Sequence, residues 1–233
     1  MSNELAIPNE VITALDKAAQ DGMLAQTEVS QFKRTLMTAT AIGTLRDLLT
    51  PKVMEPIMKL QNTSLGFRTD NPSGYPVDVV RDAIIEASFK GVYPVGNEFN
   101  IIAGRCYITK EGYFHKLSDL PNFWWIEVPG IPRNVGENGA IVKITLEWKK
   151  DGVPGSRELE FAVRVNRGMG ADAIIGKAIR KARAWLFAYI TGQEFGDGDV
   201  EDGDVIDVKV AEPARSPFEQ TPQAERPADE LPM

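Results

Sequence analysis

The chain has 233 residues, 43% of them hydrophobic and 25% charged, which is the composition of a globular protein with one sizeable core or two small ones. A single cysteine, Cys106, excludes an internal disulfide, and with one histidine, His115, there is no Cys/His set for zinc. No run of about 18 apolar residues marks a membrane span and Met1-Ser2-Asn3-Glu4-Leu5 lacks a signal-peptide pattern, so a cytoplasmic location is expected.

The net charge of -7 is unevenly spread. From Glu194 onward 12 acids face 3 bases, a segment of charge -9, and residues 1–193 carry 23 bases against 21 acids. A mildly basic body is joined to an acidic tail, so the overall acidity does not exclude a polyanionic ligand.

In chain order, Pro8 to Gln20 has helical spacing (Val11, Ile12, Leu15, Ala18, Ala19) and is expected to stop near Asp21-Gly22. Thr27 is the expected N-cap of a helix through Leu49, with Phe32, Leu36, Ala39, Ile42, Leu45 and Leu49 along one side. Thr50-Pro51 restarts the chain as a short helix to about Leu60, because Thr caps and Pro fits the first turn. Gln61 to Tyr75, rich in Asn, Ser, Thr, Gly and Pro, is a loop and a boundary. A helix then runs from Pro76 to Lys90 and stops at Gly91.

Strands follow. Glu98 to Ile108 is β-rich, Thr109 caps a short helix to Leu117, and Phe123 to Val128 is a strand closed by Pro129-Gly130. Ile141–Trp148 and Arg157–Val165 alternate clearly and are expected to pair as an antiparallel hairpin across the turn-rich segment Asp151-Gly152…Pro154-Gly155. Val142, Ile144, Leu146 and Trp148 share one face of the first strand; Leu159, Phe161, Val163 and Val165 share one face of the second. The expected class is α+β: a hairpin-rich antiparallel sheet packed with helices, a helical N-terminal third and a disordered acidic C-terminal tail. The expected divisions are an N-terminal helical region for oligomerisation or packing (1–61), an α+β core (62–195) and the tail (196–233).

The late helix, Ala171 to Ile190, is the long basic amphipathic element. At about 100° per residue Ile175, Ile179, Ala182, Leu186 and Ile190 form its buried stripe, flanked by Ala178 and Tyr189. Lys177, Arg180 and Lys181 then point away from the core, and Arg183 projects at the edge of the stripe, where a guanidinium must pair with a carboxylate or line an anion-receiving groove. A solvated basic face is the plain structural alternative. Gly168-Met169-Gly170-Ala171-Asp172-Ala173 matches the glycine turn of a dinucleotide site, but the strands before it form hairpins and no second parallel strand follows. The same turn, with Arg164 and Arg167 beside it, suits a backbone phosphate. There is no GxxxxGK[ST], GxSxG or HExxH, and Glu158 and Glu160, two apart on one strand, are expected to face solvent.

The succession Ala83 to Pro94, the strand with Ile101-Ile102, the Lys110-Glu111-Gly112-Tyr113 helix start and the Lys177-Ala178-Ile179-Arg180-Lys181-Ala182-Arg183…Phe187 helix resembles the phage single-strand annealing proteins of the RecT and lambda Red beta type. The likeness runs from about Pro76 to Asp204. It implies a curved antiparallel sheet crossed by helices, a positive groove for single-stranded DNA, rings or helical filaments of identical subunits, and ATP-independent annealing in recombination within a bacterial host. It also implies no catalytic residue and no resident cofactor, with Mg2+ left open as a modulator of annealing. A partner exonuclease or host single-strand binding protein would engage the tail. The matching residues are Gly112, Tyr113, Lys177, Arg180 and Arg183.

Such a ligand needs cations that follow phosphates and surfaces that tolerate any base. The candidate DNA-binding residues are therefore Lys177, Arg180, Lys181 and Arg183, joined by Arg105, Lys110, Arg164 and Arg167, with Tyr113, Trp124 and Trp125 as candidate stacking partners. Adjacent tryptophans point to opposite faces of a strand, so at least one of the pair is core. Two other classes compete: a nucleotide-binding enzyme using the Gly168–Gly170 turn, and an adaptor acting through its acidic tail.

Overall fold

The computed structural model describes residues 7–135 and 138–194. Among these the chain is α+β, with six helices and antiparallel sheets.

Helix α1 (Asn9–Ala25) runs past the expected stop at Gly22. A Cβ on Gly22 would lie 2.0 Å from the Phe89 ring, so this glycine serves close approach to another helix instead of ending its own. Thr27 does not cap the next helix. Its hydroxyl donates back to the Leu24 carbonyl at 2.9 Å, and α2 (Gln31–Leu48) begins after Ser30. Only Ala41 and Leu45 of α2 are buried; Phe32 and Leu36, expected on the packed side, are 85% and 66% exposed. Thr50 and Pro51 do start α3 (Pro51–Met58), the Thr50 hydroxyl accepting from the Val53 amide. Helix α4 (Val77–Phe89), whose Val80, Ala83 and Ala87 are buried, packs against α1, α2 and α3 and ends at Gly91, which has φ +68.

The β-rich stretch before Thr109 folds into two strands, β1 (Phe99–Ile102) and β2 (Arg105–Ile108). Ala103 and Gly104 both have positive φ, 50 and 75, as a two-residue primed turn requires. Thr109 caps α5 (Lys110–Ser118) by accepting from the Gly112 amide at 3.2 Å.

The larger sheet is centred on β5 (Gly139–Lys150), paired along its length with β6 (Val153–Arg164). β3 (Phe123–Pro129) and β4 (Arg133–Val135) share its other edge, pairing with successive parts of β5. The hairpin turn is Asp151-Gly152 alone, with φ 50 and 86; Pro154 and Gly155 belong to the ladder, opposite Lys149 and Trp148. A Cβ on Gly155 would sit 2.4 Å from the Trp148 indole, which occupies that space.

The two sheet faces differ as the alternation predicts. Ala140, Val142, Ile144, Leu146 and Trp148 are buried, with Leu159 and Val163 beside them. The opposite face, bearing Lys143, Glu147, Lys149, Glu158, Glu160 and Arg164, is exposed. Glu158 and Glu160 face solvent as expected and pair with Lys143 and Arg133.

Helix α6 (Ala171–Thr191) lies over the inner sheet face with α5 against it, and closes on Gly192 in the left-handed conformation. Its buried line is Ile174, Ala178, Ala182 and Leu186, with Arg180 and Phe187 also buried. Ile175, Ile179 and Ile190 are only partly covered, so the expected stripe is rotated. Arg180 does not point away from the core: it is 5% exposed. The reason is that α6 is covered on two sides, and periodicity locates the centre of a buried arc better than its width.

Candidate nucleic-acid interface

The cations predicted along α6 divide between its two flanks. On the β6 side Lys177 Nζ donates to the Arg164 carbonyl at 3.2 Å and Lys181 Nζ to the Ala162 carbonyl at 3.0 Å, tying the helix to the end of the strand. On the other flank the Arg180 guanidinium stacks over the Tyr107 ring of β2 at 4.2 Å. Arg183 resolves its two options in favour of a carboxylate. Its Nε lies 2.9 and 3.0 Å from the Glu127 oxygens, Nη2 closes on the same carboxylate, and Nη1 donates to the Lys110 carbonyl at 2.7 Å. With Arg183 and Glu127 side chains 15% and 12% exposed, this is a structural clamp between α6, β3 and α5.

The remaining candidates are solvent-facing. Arg164 and Arg167 are exposed at the junction of β6 and α6, where Gly168 turns the chain with φ +83. Arg105 has a side chain 75% exposed and a long contact, 3.4 Å, to Glu86; Lys110 is exposed, 3.6 Å from Glu111. Burial pushes the Glu86 carboxyl up, but hydrogen bonds from Lys90 and the Cys106 amide and the charges of Lys90 and Arg105 outweigh it and hold it below the usual carboxylate range. That carboxylate is already shared, so it holds Arg105 loosely.

The aromatic candidates separate cleanly. Tyr113 is 3% exposed and tilted against Phe187, which removes it from contact with any base in this conformation. Trp125 stacks on Phe123, meets Phe114 edge-on and donates its indole N–H to Glu127 at 3.2 Å. Trp124 is 57% exposed, so the pair does straddle the strand. Trp148, Trp185 and Tyr189 form a separate inner cluster.

Two further basic groups stand outside the set expected from the sequence. Arg133, Lys143 and Lys149 lie on the outer sheet face, where strand alternation alone would place the two lysines. Lys116 lines a cavity of about 600 Å³ between α1, α4, α5 and the end of α6, with Arg34 and Gly91 also in its wall. Its amine donates to the Lys90 carbonyl and sits 4.5 Å over the Phe187 ring, and burial pushes its pKa down to about 8. No sequence signal marks it. Burial pushes the Cys106 thiol up to about 12, which makes it a packing residue.

The Gly168–Gly170 turn connects an antiparallel strand to α6, and no parallel strand follows among the described residues. The same residues contain no group of three or more His, Cys, Asp or Glu placed to hold a metal, and no helix long and apolar enough to cross a membrane. No protein-family model, curated protein or solved structure matches this chain.

Proposed function

We propose that the protein binds single-stranded DNA and anneals complementary strands without ATP, in recombination of the phage type. The observation that supports this reading best is the exposed Arg164, Arg167 pair at the β6–α6 junction, with Lys177 fastened to the Arg164 carbonyl beside it, on a body whose bases outnumber its acids. Cations held at the rim of a rigid sheet suit a phosphate backbone, and annealing requires only that a strand be held extended with its bases available. The reading includes homo-oligomers that lengthen the track, a cytoplasmic setting in a bacterial host, and a tail that engages an exonuclease or single-strand binding protein. It needs no catalytic group.

The test is annealing of two complementary oligonucleotides, one labelled, without nucleotide. Acceleration at low salt, falling steeply as salt rises, is the expected result. No acceleration at low salt, with or without Mg2+, overturns it. Equilibrium titration with labelled NAD or ATP separates the competing nucleotide-enzyme reading.

A further inference from the structure

We propose that the single strand lies across the outer face of the large sheet, from Arg164 to Trp124, and that Trp124 stacks on a base. This rests on the function proposed above and moves the binding track off α6, whose Arg180 and Arg183 are occupied by Tyr107 and Glu127.

The register puts the necessary groups on one surface. Trp124 stands opposite Lys149, Arg133 opposite Ile141, and Arg164 opposite Gly139, and directly opposed residues of an antiparallel pair project to the same side. With Lys143, the face therefore carries cations on β4, β5 and β6, and Arg167 continues the charge beyond one end. Of its three carboxylates, Glu147, Glu158 and Glu160, the last two bond Lys143 and Arg133 in exposed pairs, which hold their cations weakly enough for a phosphate to replace them, and the four cations exceed the acids by one.

Charge alone would describe many solvated sheets. Here an apolar row accompanies it: Trp124, Ile126 and Val128 are 57%, 44% and 56% exposed on edge strand β3, and no described element covers them. A nucleic acid uses both halves of such a surface, because every base has a π face for the indole and every linkage a phosphate for the cations. An apolar protein partner would leave the four cations unused. From Gly139 to Lys149 the track is about 34 Å long at 3.4 Å per residue.

The experiment is titration of the full chain and of Trp124→Ala, Trp124→Phe, Lys149→Ala and Arg164→Ala with a labelled thymidine oligonucleotide of about fifteen residues, at several salt concentrations. Trp124→Ala is expected to weaken binding about 5- to 150-fold with an unchanged salt slope, and Trp124→Phe to retain most of the affinity. Lys149→Ala and Arg164→Ala should each lower the slope by about 1. Trp124 is exposed, so its replacement leaves the core intact. If the wild type binds tightly and all four variants match it, the track is overturned while the proposed function stands. Absence of binding by the wild type overturns both.

Discussion

The Arg183 guanidinium is held by the Glu127 carboxylate where α6, β3 and α5 meet. The sequence predicts that Arg183→Ala harms annealing more than Lys181→Ala; the bidentate clamp to Glu127 now assigns that loss to stability, since a nearly buried carboxylate would be left without its guanidinium. Arg183→Ala is expected to destabilise by about 3 kcal/mol, read as a lower urea midpoint, and Lys181→Ala, which loses its bond to the Ala162 carbonyl, by about 1 kcal/mol. Equal midpoints for the two variants would refute the clamp. Lys116 gives a pH test. Its folded pKa of about 8 lies below the ordinary 10.5, so between these values the unfolded chain holds a proton the folded one lacks, and stability rises with pH. The gain relative to pH 7 reaches at most about 3 kcal/mol near pH 10. Lys116→Met should remove that rise from chemical denaturation curves; identical pH profiles for variant and wild type would contradict the burial assigned to the amine.

Among the elements, the β1–β2 hairpin turns on an alanine in a conformation that favours glycine or asparagine, φ 50, and the Ala103 amide is also held by Asp70 at 3.0 Å. Ala103→Gly keeps that amide and relieves the Cβ, so it should stabilise by about 0.5–1 kcal/mol, seen as a rise in Tm. A fall in Tm would mean the alanine side chain contributes packing that outweighs its backbone strain. At the α1–α4 crossing the opposite holds. Gly22→Ala would drive a methyl into the Phe89 ring and should destabilise by about 1–3 kcal/mol, measured by the denaturation midpoint. The two glycine arguments differ in kind, one conformational and one steric.

For the whole molecule, one contiguous core joins Ala18, Leu45, Leu49 and Met54 of the N-terminal helices to the strands and α6. The tail 196–233, for which disorder is expected, lies outside the described residues. On the proposed function, a segment of charge -9 tethered to a mildly basic body would compete with DNA phosphates at high effective concentration. A chain ending at Ala211 should therefore fold and bind single-stranded DNA at least as tightly as the full protein, with the gain largest at low salt. It should also lose a replication or recombination partner in cells. Weaker DNA binding by the shortened chain at every salt concentration would make the tail a positive part of the binding unit.

The sequence by itself determined the class, most element positions and both faces of the main hairpin, because caps, turn residues and period-2 alternation act within a few residues of one another. Thr50-Pro51, Thr109, Gly91 and Asp151-Gly152 mark their boundaries by local hydrogen bonds or dihedral angles. What surrounds an element was decided only by tertiary structure. Helical periodicity identified α6 as a core element, but the second layer that buries Arg180 comes from β2 and α5, distant in sequence. Likewise, strand alternation separated Trp124 from Trp125, and only the fold showed which of the two faces is covered: α6 lies over the inner one, and Trp124 is left on the outer.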